Sequence, residues 1–176
     1  MLKFSIHHQI TNVTLFAVET AKGIVITTVV FGLKEKYSNI PAKESRNPLL
    51  KEYGRMIKGF LDGKVRSLDM VPIDLSWCTP FQKAVLEAAR TIPWGSVVSY
   101  GDLGVMAGYP KAPRATAAVM RHNRFPLIVP CHRVIAAGFK LGGFMGSTSG
   151  APVRLKQKLL SHEGVTIQCS IPPKKR

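Results

Sequence analysis

Leu127-Ile128-Val129-Pro130-Cys131-His132-Arg133-Val134 is the stretch on which the reading of this chain turns. A short apolar run ending in Pro predicts a buried strand, and it delivers a thiol, an imidazole and a guanidinium to one point. Nucleophilic cysteine chemistry needs a thiolate, whose formation is helped by a nearby base and by positive charge. Neighbours on an extended chain point to opposite sides, so His132 reaches the Cys131 thiol only where the backbone bends or a water bridges them. Taken alone, a Cys-His pair more often describes a buried cysteine beside a structural histidine. The surroundings have to decide.

Upstream the pattern is helical. Thr79-Pro80 pairs a capping hydroxyl with Pro at the first helical position, and Phe81, Val85, Ala88 and Ala89 mark one apolar face before Pro93-Trp94-Gly95 ends the helix. Ser99, with Asp102 three residues on, caps a short helix through Leu103 and Met106 that stops at Gly108. After the turn Tyr109-Pro110-Lys111, a second helix runs from about Ala112 to His122, giving a helix-turn-helix pattern. Arg114, Ala117, Ala118 and Arg121 share a face of that second helix, where small side chains between guanidiniums let the backbone approach a phosphate-rich surface. A solvated basic helix in an ordinary bundle has the same look, and charge distinguishes the two.

The chain of 176 residues holds 25 Lys+Arg against 10 Asp+Glu, a formal charge of +15. Residues 1–110 carry 13 of the basic groups and 9 of the acids, whereas residues 111–176 carry 12 basic groups and one acid, Glu163. So concentrated a surplus favours a polyanionic partner, and its single carboxylate invites a question about its job.

The first part reads differently. Phe4, Ile6, His8 and Ile10 alternate with polar neighbours, and Val13 to Glu19 and Ile24 to Phe31 are β-rich, separated by a turn at Ala21-Lys22-Gly23. Residues 34 to 47 are polar; Leu49, Tyr53, Met56, Phe60 and Leu61 then recur at helical spacing up to Asp62-Gly63. An α+β chain follows: a small antiparallel sheet plus helix over residues 1–76, joined through a short strand or linker at Lys64 to Trp77, and a helical domain with the active-site strand over 77–176. The most apolar stretch, Gly23 to Leu33, is too short to span a bilayer, so a soluble intracellular protein is expected. Cys78, Cys131 and Cys169 are odd in number and far apart, which describes neither a disulfide framework nor a zinc spacing. Trp77 and Trp94 are expected to pack in the core or at its boundary, and His7, His8 and His162 to be solvated or packed.

Pro130-Cys131-His132-Arg133-Val134 resembles the active-site signature of the O6-alkylguanine-DNA alkyltransferases, suicide proteins that repair alkylated guanine. The resemblance extends in order from about Thr79 to Gly164: Pro93 to Tyr100 is similar to the family's lead into its helix-turn-helix, Pro113-Arg114-Ala115 to the start of its recognition helix, Met120-Arg121-His122-Asn123 to its asparagine hinge, and Leu159 to Gly164 to its closing helix. The first domain matches in architecture only.

The resemblance implies an RNase H-like first domain and a set of roles. Cys131 would accept the alkyl group irreversibly, one lesion per molecule. His132 would be a water-mediated base oriented by Glu163, which gives the lone carboxylate its job. Asn123 would tie the hinge, and Tyr100 would press on the target's phosphate or donate a proton toward the departing guanine. Arg114 would enter the base stack as the lesion flips out, with Ala115, Ala118, Arg121, Ser99 and Lys111 also on the DNA. The carbonyls of Val129 and Cys131 would accept from the guanine amino group, with Pro130 beside them in the pocket. Double-stranded DNA would be held through its minor groove with little sequence preference, by a monomer that needs no cofactor or metal and works in the cytoplasm, or in the nucleus of a eukaryote.

One departure stands out. The family carries Gly-Tyr-Ser in the loop before its last helix, and here the stretch is Gly143-Phe144-Met145, followed by Gly146-Ser147-Thr148-Ser149-Gly150. Counting forward makes Met145 the pocket residue, whereas counting back from Glu163 points to Ser149. Two other function classes stay in view: a DNA-binding module without catalysis, whose relatives lack the acceptor cysteine, and a cysteine hydrolase, for which no oxyanion-hole pattern is evident.

Overall fold

The computed structural model describes residues 1–32 and 41–167. Strands β1 (Leu2–Ile6), β2 (Val13–Thr20) and β3 (Gly23–Phe31) form the expected meander, with Ile6 opposite Val13 and Thr20 opposite Gly23. A fourth strand, β4 (Lys43–Glu44), adds to β1 in parallel, so the sheet has the order β3-β2-β1-β4 and is not wholly antiparallel. These two polar residues carry no strand pattern of their own and are held by main-chain bonds to Met1 and Lys3.

Helix α1 (Pro48–Leu61) starts where the Asn47 side chain accepts from the Leu49 and Leu50 amides, and it buries Leu50, Ile57, Phe60 and Leu61. It lies so close to the sheet that a Cβ on Gly54 would overlap the Phe4 ring. The segment after it is more than a linker: Ile26 bonds Pro72 and Asp74 along the far edge of β3, at 2.9 and 2.8 Å, and Arg90 donates to the carbonyls of Asp69 and Val71.

Helix α2 (Pro80–Arg90) opens with a reciprocal capping box between Thr79 and Gln82. Strand β5 (Val98–Ser99) leads into α3 (Tyr100–Met106), capped by Ser99 and Asp102, and α4 (Pro113–Arg121) completes the helix-turn-helix. The tight turn needs Gly104, since a Cβ there would lie 3.0 Å from the Tyr109 carbonyl and 3.2 Å from the Thr116 hydroxyl. Strand β6 (Val134–Ile135) pairs in parallel with β5, and α5 (Gly150–His162) closes the chain onto the site.

One buried cluster runs from Val13, Ile26 and Phe60 through Val85 and Leu103 to Val129, Cys131 and Leu159, across the boundary expected at residues 76/77. Trp94 packs edge-on to Phe60 and to His162, whereas Trp77 is 39% exposed beneath the Arg124 guanidinium, 4.2 Å from its ring. His162 bonds the Phe60 carbonyl, and Cys169 lies outside the described residues. No helix among the described residues is long and apolar enough to cross a membrane.

Candidate active site

The segment expected as a buried strand is instead a succession of turns. Leu127 takes a φ of 75°, the Val129 amide bonds back to the Phe125 carbonyl at 2.8 Å, and the Cys131 amide bonds the Val129 carbonyl at 2.8 Å. A left-handed residue cannot continue an extended ladder, and Pro130 has no amide to donate to one. Cys131–Arg133 then forms one turn of 3-10 helix. With about three residues per turn, successive side chains leave it in three directions rather than two. The bend that the Cys-His pair requires is therefore built in.

Cys131 is 6% exposed and adjoins a cavity of about 260 Å³ lined by Tyr100, Ala117, Met120, Arg121 and residues 143–148. Burial pushes its thiol pKa up, against the opposing pull of an Asn123 hydrogen bond and the nearby Lys156 charge. At rest the sulfur is thus held protonated.

His132 and Arg133 turn the other way, into the core. The His132 Nε2 lies 2.7 Å from Glu163 Oε1. A carboxylate only accepts, so Nε2 carries the hydrogen and Nδ1 presents a lone pair. Nδ1 is buried and has no hydrogen-bond partner among the described residues. Burial lowers the His132 pKa, against the raising effect of Glu163, which favours the neutral ring.

Glu163 sits just past α5 and draws partners from two segments. Arg133 donates to it from Nε at 2.9 Å and from a terminal nitrogen at 2.9 Å, and the Gly95 amide donates at 3.1 Å. Arg133 is fixed in turn on the Ile92 carbonyl at 2.6 Å. Burial alone would raise the Glu163 pKa; the hydrogen bonds and charges of His132 and Arg133 overcome it and hold the carboxyl at about 2. Sequence reasoning picked out Glu163 by its isolation but missed Arg133 as its clamp.

Lys156 was also missed. It is fully buried on α5, and its ammonium donates to the carbonyls of Val134 at 2.6 Å, Leu141 at 2.6 Å and Gly143 at 3.2 Å. Burial lowers its pKa to about 8. It ties the closing helix to the backbone of β6 and of the Leu141–Gly143 segment.

The remaining expected residues fall in different places. Asn123 donates to the Val129 carbonyl at 3.0 Å and accepts from the Phe125 amide at 2.9 Å, joining the end of α4 to the turns before Cys131. Tyr100 lines the cavity with its hydroxyl pKa raised by burial. The Val129 carbonyl does not match its expected role: it already accepts from Asn123 and from the Cys131 amide, which fills both lone pairs. The Cys131 carbonyl accepts only from the Val134 amide and keeps capacity. Pro130 is buried, and its carbonyl accepts from the Arg133 amide. Met145 lines the cavity; Ser149 does not, because it stands exposed at the start of α5, while Ser147 and Thr148 reach the cavity instead.

On the helix-turn-helix, Lys111, Arg114, Ala115, Ala118 and Arg121 are all exposed. The Ser99 hydroxyl is engaged with Asp102, accepting from its amide at 3.1 Å and donating to its carboxylate at 2.7 Å, so its role here is the helix cap. Among the described residues no group of three His, Cys, Asp or Glu side chains is placed to hold a metal.

Residues 80–165 match the family model described as 6-O-methylguanine DNA methyltransferase, DNA binding domain. A methylated-DNA--protein-cysteine methyltransferase of Methanothermobacter thermautotrophicus is 36% identical over 147 residues, covering 83% of this chain and 77% of that protein. A constitutive one of Bacillus subtilis is 34% identical over 133 residues, 76% of each chain. Among solved structures, Mycobacterium tuberculosis OGT in complex with DNA superposes with a TM-score of 0.76 at 29% identity, over 93% of this chain and 92% of that one. The shared fold over nearly the whole length, and the sequence identity to full relatives, establish that the chain belongs to the methylated-DNA--protein-cysteine methyltransferase family.

Proposed function

We propose that this protein repairs O6-alkylguanine in DNA by flipping the base into the cavity beside Cys131 and transferring the alkyl group, once and irreversibly, to that sulfur. The observation that carries the reading is a buried Cys131 followed directly by His132, whose Nε2 lies on the Glu163 carboxylate clamped by Arg133 and whose buried Nδ1 has no partner among the described residues. The thiol proton passes through a water to Nδ1, and the resulting imidazolium is stabilised by the carboxylate at Nε2. Sγ then forms a bond to the alkyl carbon as the carbon–O6 bond breaks, and that electron pair stays on guanine. Guanine takes up a proton from the Tyr100 hydroxyl, which lines the cavity, and its amino group donates to the Cys131 carbonyl. The thioether is not reversed.

The exposed Arg114, at the start of α4, is the residue that fills the vacated stack, while Ala115 and Ala118 let the helix sit close in the minor groove. The working unit is a monomer, with residues 77–176 supplying the chemistry and 1–76 the support. The test is incubation with a duplex carrying O6-methylguanine, followed by mass spectrometry of the Cys131 peptide. A gain of one methyl is expected, and Cys131→Ser should bind the duplex but gain nothing. Binding without methylation of the wild type would leave a damage-binding module in place of a transferase.

A further inference from the structure

The loop that departs from the family pattern has a defined shape. The Phe144 amide bonds the Ser147 carbonyl at 2.8 Å and the Ser147 amide bonds back to Phe144 at 3.0 Å, closing a two-residue hairpin with Met145 and Gly146 at its tip. Both have positive φ, 51° and 82°, which defines a type I′ turn. Asn or Gly is the usual first residue of such a turn; Met there carries strain of about 1 kcal/mol. The turn is anchored on two sides, since Phe144 is buried with its ring centroid 6.3 Å from that of Phe31, and Arg121 of α4 reaches the Gly146 carbonyl at 3.4 Å.

So held, Met145 lines two concavities that also share Cys131. One is the 260 Å³ cavity with Tyr100 and Ala117; the other, of about 450 Å³, is lined by Val29, Val30, Trp77, Pro126 and Arg124. Met120, Arg121, Cys131, Met145 and Gly146 belong to both. We infer that Met145 sets the size of O6 substituent this protein accepts. The purine occupies the Tyr100 chamber, and whatever lies beyond the transferred carbon must pass the Met145 thioether to enter the second. A flexible unbranched side chain at a strained turn position makes an adjustable wall.

The inference rests on the proposed transfer to Cys131 and is tested on the same reaction. Single-turnover alkylation of Cys131 is measured with duplexes carrying O6-methylguanine or O6-benzylguanine, and the ratio of the two rates is compared among variants. Met145→Gly, which also relieves the backbone strain, should raise the benzyl-to-methyl ratio about tenfold, and Met145→Phe should lower it by a similar factor. Met145→Asn tolerates the left-handed backbone and opens the same space, so it serves as a second opened variant. A ratio within about twofold of wild type in the two opened variants, or a ratio raised by Phe, overturns the inference. A wild type that transfers neither group defeats the proposed function instead. A merely structural role for Met145 would slow both transfers together and leave the ratio where it was.

Discussion

Glu163 shows how one carboxylate can serve a guanidinium, an imidazole and a backbone amide. Breaking such a buried, hydrogen-bonded ion group by removing one partner costs about 3–5 kcal/mol. Glu163→Gln should therefore lower the unfolding midpoint and slow Cys131 alkylation by at least about tenfold, because the imidazolium loses its counter-charge. Differential unfolding and single-turnover assays read the two effects separately. The pH dependence has a definite sign. Glu163, depressed from 4.5 to about 2, contributes stability that is fully present above about pH 4.5 and is lost as pH falls through about 2. His132, lowered from 6.5, adds a loss that begins below about pH 6.5, because the unfolded chain takes a proton that the folded one resists. Denaturant titrations between pH 7 and 2 should show both windows in the wild type and lack the lower one in Glu163→Gln. At this scale the sequence was legible where a residue announces its chemistry. Cys131 and His132 stood in a recognisable motif, and Glu163 stood alone among cations. Lys156 was illegible, because nothing in a helix pattern marks a lysine as buried until three carbonyls are seen to converge on it.

Among the elements, helices were the easiest to read, since caps and stops are local. Thr79, Ser99 and Gly108 marked ends that the structure places within a residue or two. Strands that depend on distant partners were harder. The parallel pairing of β4 and the bridge of Ile26 to Ile73 are tertiary outcomes with no pattern of their own. The Leu127–Pro130 run misled for a related reason: its hydrophobicity reported burial correctly, but burial came with turns and a left-handed Leu127 rather than with extension. Close packing of α1 on the sheet gives an element-scale expectation. Gly54→Ala forces a methyl into the Phe4 ring and should cost about 1–3 kcal/mol, read as a lower unfolding midpoint. Gly32→Ala, where no atom of the described residues lies within 4 Å but φ is 68°, separates backbone strain from overlap and should cost less.

Across the whole molecule, the +15 charge and the continuous core act at different ranges. Twelve of the basic groups fall after residue 110, on the part that carries α4. DNA affinity should accordingly drop by about a thousandfold or more between 50 and 200 mM salt if six or more phosphates are contacted, with the slope of log affinity against log salt counting them. Fluorescence anisotropy on a labelled duplex measures it, and Arg121→Ala should make the slope shallower by about one unit. The domain pattern, by contrast, could be read from the sequence only as two compositions; that one core would cross between them needed Phe60 of α1 to be seen against Trp94. The Glu163 junction also has a bearing on the order of assembly. It joins Gly95, His132 and Arg133 to the end of the last described helix, segments up to 68 positions apart. Until α5 docks, Cys131 has no charged relay behind it and is an ordinary thiol. A transfer that depends on this relay therefore requires α5 to be in place, although the helix itself carries none of the reacting atoms.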